Sequence, residues 1–203
     1  MGVRRGAVRR PPRARARSVP RLRPPDVLDL TRNHFELFGL PARYAIDARA
    51  LESAYRELQR TVHPDRHAAS ADDAARRLAL QAAARVNEAY RTLADPVERA
   101  RYLLALEGVE AFDAADTSLP VDFLERQLDR RERASLAGEA HDEASLEALL
   151  DEVHDEARAT ESALAALIDG EHAYADARNR VRELRFLSKL AEDVDAMLAE
   201  AAA

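Results

Sequence analysis

The chain has 203 residues, with 31 Lys and Arg against 37 Asp and Glu, for a formal net charge of −6. Aromatics make up 5% and Cys is absent, which excludes disulfides, thiol catalysis and cysteine ligation of zinc or iron–sulfur clusters by this chain. Ala, Leu, Arg and Glu dominate and little reads as strand, so an all-α fold is predicted.

Residues 1–25 differ from the rest. They carry nine Arg and five Pro with no Asp or Glu, leaving a net charge of −15 on residues 26–203. No apolar run in this stretch could form a signal-peptide core or a membrane span. Three readings stay open for the segment up to residue 32. It is a disordered basic arm that touches nucleic acid or acidic protein surfaces, an organelle-targeting peptide, against which the five Pro count, or an extension from a misassigned start, with translation beginning near Val27 or Leu30.

Residues 33–40 read as a short first helix with Phe35, Leu37, Phe38 and Leu40 as core. Asn33 is its N-cap, and Gly39 and Pro41 stop it. Asp47 caps a second helix over 47–63, in which Leu51, Tyr55, Leu58 and Val62 form one apolar face. At about 100° per residue, Arg49, Arg56 and Arg60 lie within about 40° of one another on the opposite face. Pro64 ends that helix, so His63-Pro64-Asp65 stands at the tip of a helical hairpin. The returning helix, 72–94, places Leu78, Ala82, Val86, Ala89 and Leu93 on its inner face. Asp95-Pro96 then opens a fourth helix, which Gly108 ends.

His63 and His67 are four apart, but Pro64 breaks the helix that such ligand spacing requires, and no H-E-x-x-H motif is present. No metal site and no cofactor are predicted. There is also no Gly-rich phosphate loop, nucleophile elbow or Ser-His-Asp arrangement, so the chain reads as a non-enzyme.

Residues 109–119 form a linker, followed by helices over 120–138, 142–168 and 171–200. Gly138 and Asp169-Gly170 mark the stops. The second of these helices repeats Leu146, Leu149, Val153, Ala157, Leu164 and Leu167. The third repeats Tyr174, Ala177, Val181, Leu184, Leu187, Ala191, Val194 and Leu198. This is the pattern of an antiparallel three-helix bundle. Most charges on these helices read as solvated faces with i,i+4 pairing. On the last helix Phe186, Leu190 and Met197 fall outside the core stripe, Phe186 by about 145° from its middle. Such residues either pack on another part of the chain or meet a partner. On the first bundle helix Val121, Leu124 and Leu128 share one side, and Phe123 and Gln127 another.

The hairpin with its basic second helix and His63-Pro64-Asp65 resembles a J-domain, the module that stimulates DnaK-type chaperone ATPases. Several stretches resemble the HscB family of iron–sulfur assembly co-chaperones more specifically. They are His34 to Tyr44, Leu58-Gln59-Arg60, Arg99 to Leu104, and Val181 to Leu190. The resemblance implies an L-shaped, all-α protein with a J-domain at 33–108 and a scaffold-binding bundle at 120–203. Its partners would be an HscA/DnaK-type chaperone and an IscU-type scaffold protein, with no membrane or nucleic acid involved, in a bacterial cytoplasm. His63, Pro64, Asp65, Arg49, Arg56 and Arg60 would face the chaperone. Leu124, Leu128, Asp129, Glu132 and Phe186 match the family's scaffold-binding positions, whereas Glu125 stands where an apolar residue is expected. The alternative is a general J-protein that feeds unfolded clients to DnaK.

Overall fold

The computed structural model describes residues 29, 31–62, 73–112 and 119–202. Among them every regular element is a helix. The first four are α1 (His34–Leu37), α2 (Ala48–Val62), α3 (Asp73–Ala94) and α4 (Pro96–Leu106). The last three are α5 (Val121–Glu139), α6 (Glu143–Ala165) and α7 (Tyr174–Ala201), with one turn of π-helix, Ala166–Glu171, between α6 and α7.

Local chemistry sets most of the boundaries. The Asn33 side chain accepts from the Glu36 N–H while the Glu36 carboxylate accepts from the Asn33 N–H, a reciprocal capping box at α1. Asp47 accepts from the N–H groups of Arg49 and Ala50 at 2.9 and 3.2 Å. Asp95 caps α4 through the Glu98 N–H, with Pro96 in the first turn. Gly39, at φ +65°, closes α1.

Two expected stops are displaced. α5 runs through Gly138, and the left-handed residue after it is His141 at φ 52°. The missing Cβ of Gly138 instead leaves room for Met197, whose Sδ would lie 3.6 Å from it. The α6 stop at Asp169-Gly170 is likewise overrun by the π-turn, and His172 takes the left-handed position.

α2 packs on α3 through Leu51, Leu58, Val62, Ala82, Val86, Ala89 and Leu93. Tyr55 and Tyr90 stack at 4.0 Å between ring centres, and the Tyr55 hydroxyl donates to Asn87. Leu78, expected on the inner face, is 42% exposed, so the buried side of α3 begins instead at its neighbour Ala79 and continues at Ala82. The ring of His34 is buried and stacked on Tyr102, and its Nδ1 finds no hydrogen-bond partner among the described residues. Burial, followed by the nearby Arg85, lowers the His34 pKa, while Glu88 acts the other way.

Leu190 and Met197 turn inward. Leu190 is 1% exposed, and Met197 packs on the same cluster as Phe123, Ala134 and Ala137 of α5. The reason is that α7 lies against both α5 and α6, which widens its buried arc beyond one stripe. Arg130 also departs from the solvated-face expectation. It is buried, and it pairs with Glu152 at 2.9 Å and with Glu156. Burial pushes the Glu152 carboxyl up, but hydrogen bonds from Arg130 and Arg133 outweigh this and hold its pKa below the usual range.

The apolar core does not divide between the two halves. Leu164, Ile168, Ala177, Val181 and Leu184 of the bundle belong to one continuous cluster with Phe35, Tyr44, Leu51, Val97 and Leu104.

Candidate functional site

Two surfaces carry the predicted site residues. The first is the outward face of α2. Its buried side is fixed by Leu51, Leu58 and Val62, which leaves Arg49, Arg56 and Arg60 exposed along the opposite side. Arg56 is engaged within its own helix by Glu52, one turn back. Such an exposed i,i+4 pair is weak and exchanges readily for another carboxylate. His63, Pro64 and Asp65 lie outside the described residues.

The second surface is on α5 where it meets α7. Phe123, Gln127, Arg130, Ala134 and Ala137 are the buried side of α5. The helical repeat therefore turns Val121, Leu124 and Leu128 outward, 70%, 38% and 68% exposed. Phe186 of α7 stands beside them, half-buried. Its ring meets the edge of Phe123 at 6.0 Å between centres, and the Arg131 guanidinium lies 4.9 Å over its face. Leu124, Leu128 and Phe186 are thus brought to one side of the bundle.

The acidic members are distributed unevenly. Glu132 is exposed one turn beyond Leu128. Asp129 is exposed and reaches Arg133 at 3.6 Å, which in turn pairs with Glu152 of α6 at 3.0 Å. Glu125 is exposed among the apolar residues. Sequence reasoning missed Leu136, 61% exposed and two turns beyond Leu128. It also missed Arg131, which packs over the aromatic ring. The spacing of Leu136 from Leu124 and Leu128 was the available signal. The contact of Arg131 depends on tertiary packing and had none.

Exposed aliphatic side chains next to a partly covered aromatic, flanked by charge, suit a protein interface rather than bond-making chemistry. Among the described residues no group of three or more His, Asp or Glu is placed to hold a metal ion, and no helix is long and apolar enough to cross a membrane.

Comparison with known proteins identifies the family. Residues 33–102 match the DnaJ domain family, and residues 119–195 match the HSCB C-terminal oligomerisation domain. The chain is 45% identical over 174 residues to a co-chaperone HscB homologue of Burkholderia multivorans, covering 85% of this chain and 97% of that protein. It is 47% identical over 165 residues to the homologue of Bordetella petrii, covering 81% and 95%. The solved structure of chaperone HscB from Vibrio cholerae superposes with a TM-score of 0.74 at 35% identity, covering 84% of this chain and 99% of that one. The chain belongs to the HscB family, J-domain co-chaperones that act with an Hsp70-type chaperone in iron–sulfur cluster assembly.

Proposed function

We propose that the surface formed by Leu124, Leu128 and Phe186 holds an IscU-type scaffold protein, with Glu132 and Asp129 on its rim, while α2 and His63-Pro64-Asp65 engage an HscA/DnaK-type ATPase. The observation that carries this reading is the column of exposed aliphatic residues on α5, set against an aromatic of α7, on a bundle whose other apolar side chains are mostly buried. The part numbered 33–108 acts as the J-domain and 120–203 as the carrier, joined through 109–119. The protein works in a bacterial cytoplasm and is not itself a catalyst. The iron–sulfur cluster is cargo on the scaffold, since this chain has no cysteine to bind it.

The coupling is thermodynamic. A co-chaperone shifts an ATPase between states only by binding them with different affinity. Asp65 pairs with a chaperone arginine, Pro64 holds the turn, His63 orients it, and Arg49, Arg56 and Arg60 steer the approach to an acidic face.

Calorimetry and single-turnover ATPase assays with the scaffold and chaperone of the same organism test the proposal. Scaffold binding in the free state, and greater ATPase stimulation when scaffold is present, are expected. Stimulation by the co-chaperone with no measurable scaffold binding would return the protein to a general J-protein for unfolded clients.

A further inference from the structure

The joint between the two halves contains one polar contact of unusual geometry. Asp169, in the π-turn between α6 and α7, accepts the Tyr44 N–H at 2.7 Å with Oδ1 and the Ala45 N–H at 2.9 Å with Oδ2. The two donors are consecutive amides of the loop that leads into α2, 125 and 124 residues away in sequence. A carboxylate held by two converging N–H groups is fixed in direction as well as distance, because each bond weakens steeply with misalignment.

Much of the rest of the joint is apolar and lacks that directionality. Ile168, next to Asp169, is buried in the shared core with Leu164, Ala177, Val181, Tyr44 and Leu51, and apolar contact of this kind is non-directional. A second polar tie, Arg182 Nε to the Ala111 carbonyl at 2.8 Å, anchors α7 to the segment after α4 and leaves the base of α2 untouched. Asp169 ties the root of α2, which carries Arg49, Arg56 and Arg60, to the root of α7, which carries Phe186. Asp169 lies within the π-turn, and interruptions of this kind recur where a helix is adapted to function.

We infer that Asp169 is a positioning residue, setting the heading of α2 against the α5–α7 surface so that one molecule presents its scaffold to the chaperone it activates. This rests on the reading above of the two surfaces. With the joint held, a bound scaffold sits at high effective concentration beside the chaperone. With the clamp released, the same two sites are present but their relative geometry is spread over many arrangements.

The test uses the full chain carrying Asp169→Asn, which keeps one acceptor but turns an NH2 group towards the other amide. Asp169→Glu restores the carboxylate, and Asp169→Ser, with a single small acceptor, replaces D169N if that variant fails to fold. Three quantities are read on each. They are scaffold affinity by calorimetry, single-turnover ATPase stimulation without scaffold, and the scaffold concentration giving half-maximal further stimulation. For D169N the first two should match the unmodified chain, while the third rises about tenfold at unchanged maximum, with D169E moving it back. Because the chain has no cysteine, spin labels at Glu57→Cys and Glu147→Cys report the α2-to-α6 distance directly, and its distribution should broaden in D169N.

An unchanged half-maximal concentration or an unchanged label distribution overturns the inference. So does a parallel fall in all three quantities together with melting temperature, which would make Asp169 merely structural. If the unmodified chain binds no scaffold, the reading of the surface fails instead, and the label distances decide on the clamp alone.

Discussion

Leu128→Ala is the cleanest test of the α5 surface, because so little of that side chain supports the fold. At 68% exposure, about a third of Leu128 is already out of water. Complete burial of a Leu side chain is worth about 1.5–3 kcal/mol, so truncation should cost folding only about 0.5–1 kcal/mol. A partner that covers the remaining two thirds would gain about 1–2 kcal/mol from this residue, or about five- to thirtyfold in Kd. Phe186→Ala cannot be read so simply. A fully buried Phe costs about 3–5 kcal/mol on truncation. Phe186 is half-covered by Phe123 and Arg131, so a folding loss of about 2 kcal/mol is expected alongside the loss of binding. The assay is calorimetric titration with purified scaffold, paired with urea unfolding of the same preparation. The reasoning fails if L128A binds scaffold with unchanged affinity, or if it loses more than about 2 kcal/mol of folding stability, since Leu128 would then be core.

Other outcomes are expected from single changes. His63→Gln and Asp65→Asn should abolish stimulation of the chaperone ATPase while leaving circular dichroism at 222 nm unaltered. Affinity for the chaperone should fall with salt, because exposed charges are screened over about 10 Å at 0.1 M; stopped-flow association with Arg60→Glu should show the loss mainly in the on-rate. Arg130→Ala should cost about 1–3 kcal/mol in denaturant unfolding, the worth of its charge-assisted hydrogen bonds, because Glu152 and Glu156 are 41% and 24% exposed and keep Arg133 and Arg126 as partners. Folding lowers the His34 pKa below its ordinary 6.5, so its contribution is complete above that value and is lost as pH falls through the folded pKa. The melting temperature should therefore drop on acidification from pH 7.5 to 5.5, with a shallower slope in His34→Phe.

Helix positions were legible because their signals are local. The Asn33, Asp47 and Asp95 caps, Pro96, and the repeats through α2, α3 and α6 each act within one or two turns. What could not be read was decided between helices. Leu190 and Met197 look stray only if α7 has one neighbour, and it lies against α4, α5 and α6. Leu164 and Ala177 carry an ordinary bundle repeat, yet they pack on residues more than a hundred positions earlier. Asp169 looked like a helix stop, while its role is set by amides near residue 44. On the candidate surface, Leu124, Leu128 and Phe186 were legible as apolar residues with no place in their own stripe. The covering of Phe186 by Arg131 was not, since nothing in spacing places a cation of α5 over a ring of α7.

The continuous core has a consequence for how this chain can be cut and recombined. The stretches 33–102 and 119–195 match separate families, but the cluster containing Leu164, Ile168, Val181 and Leu184 crosses between them. A fragment ending near residue 110 would leave Phe35, Tyr44 and Leu104 without the aliphatic wall they rest on, and the complementary fragment would present Leu164 and Val181 to water. Each would gain apolar exposure that the intact chain never shows, so heat or denaturant should meet one cooperative transition rather than two. An exchange of either half between relatives would succeed only when both sides of that seam are carried across together.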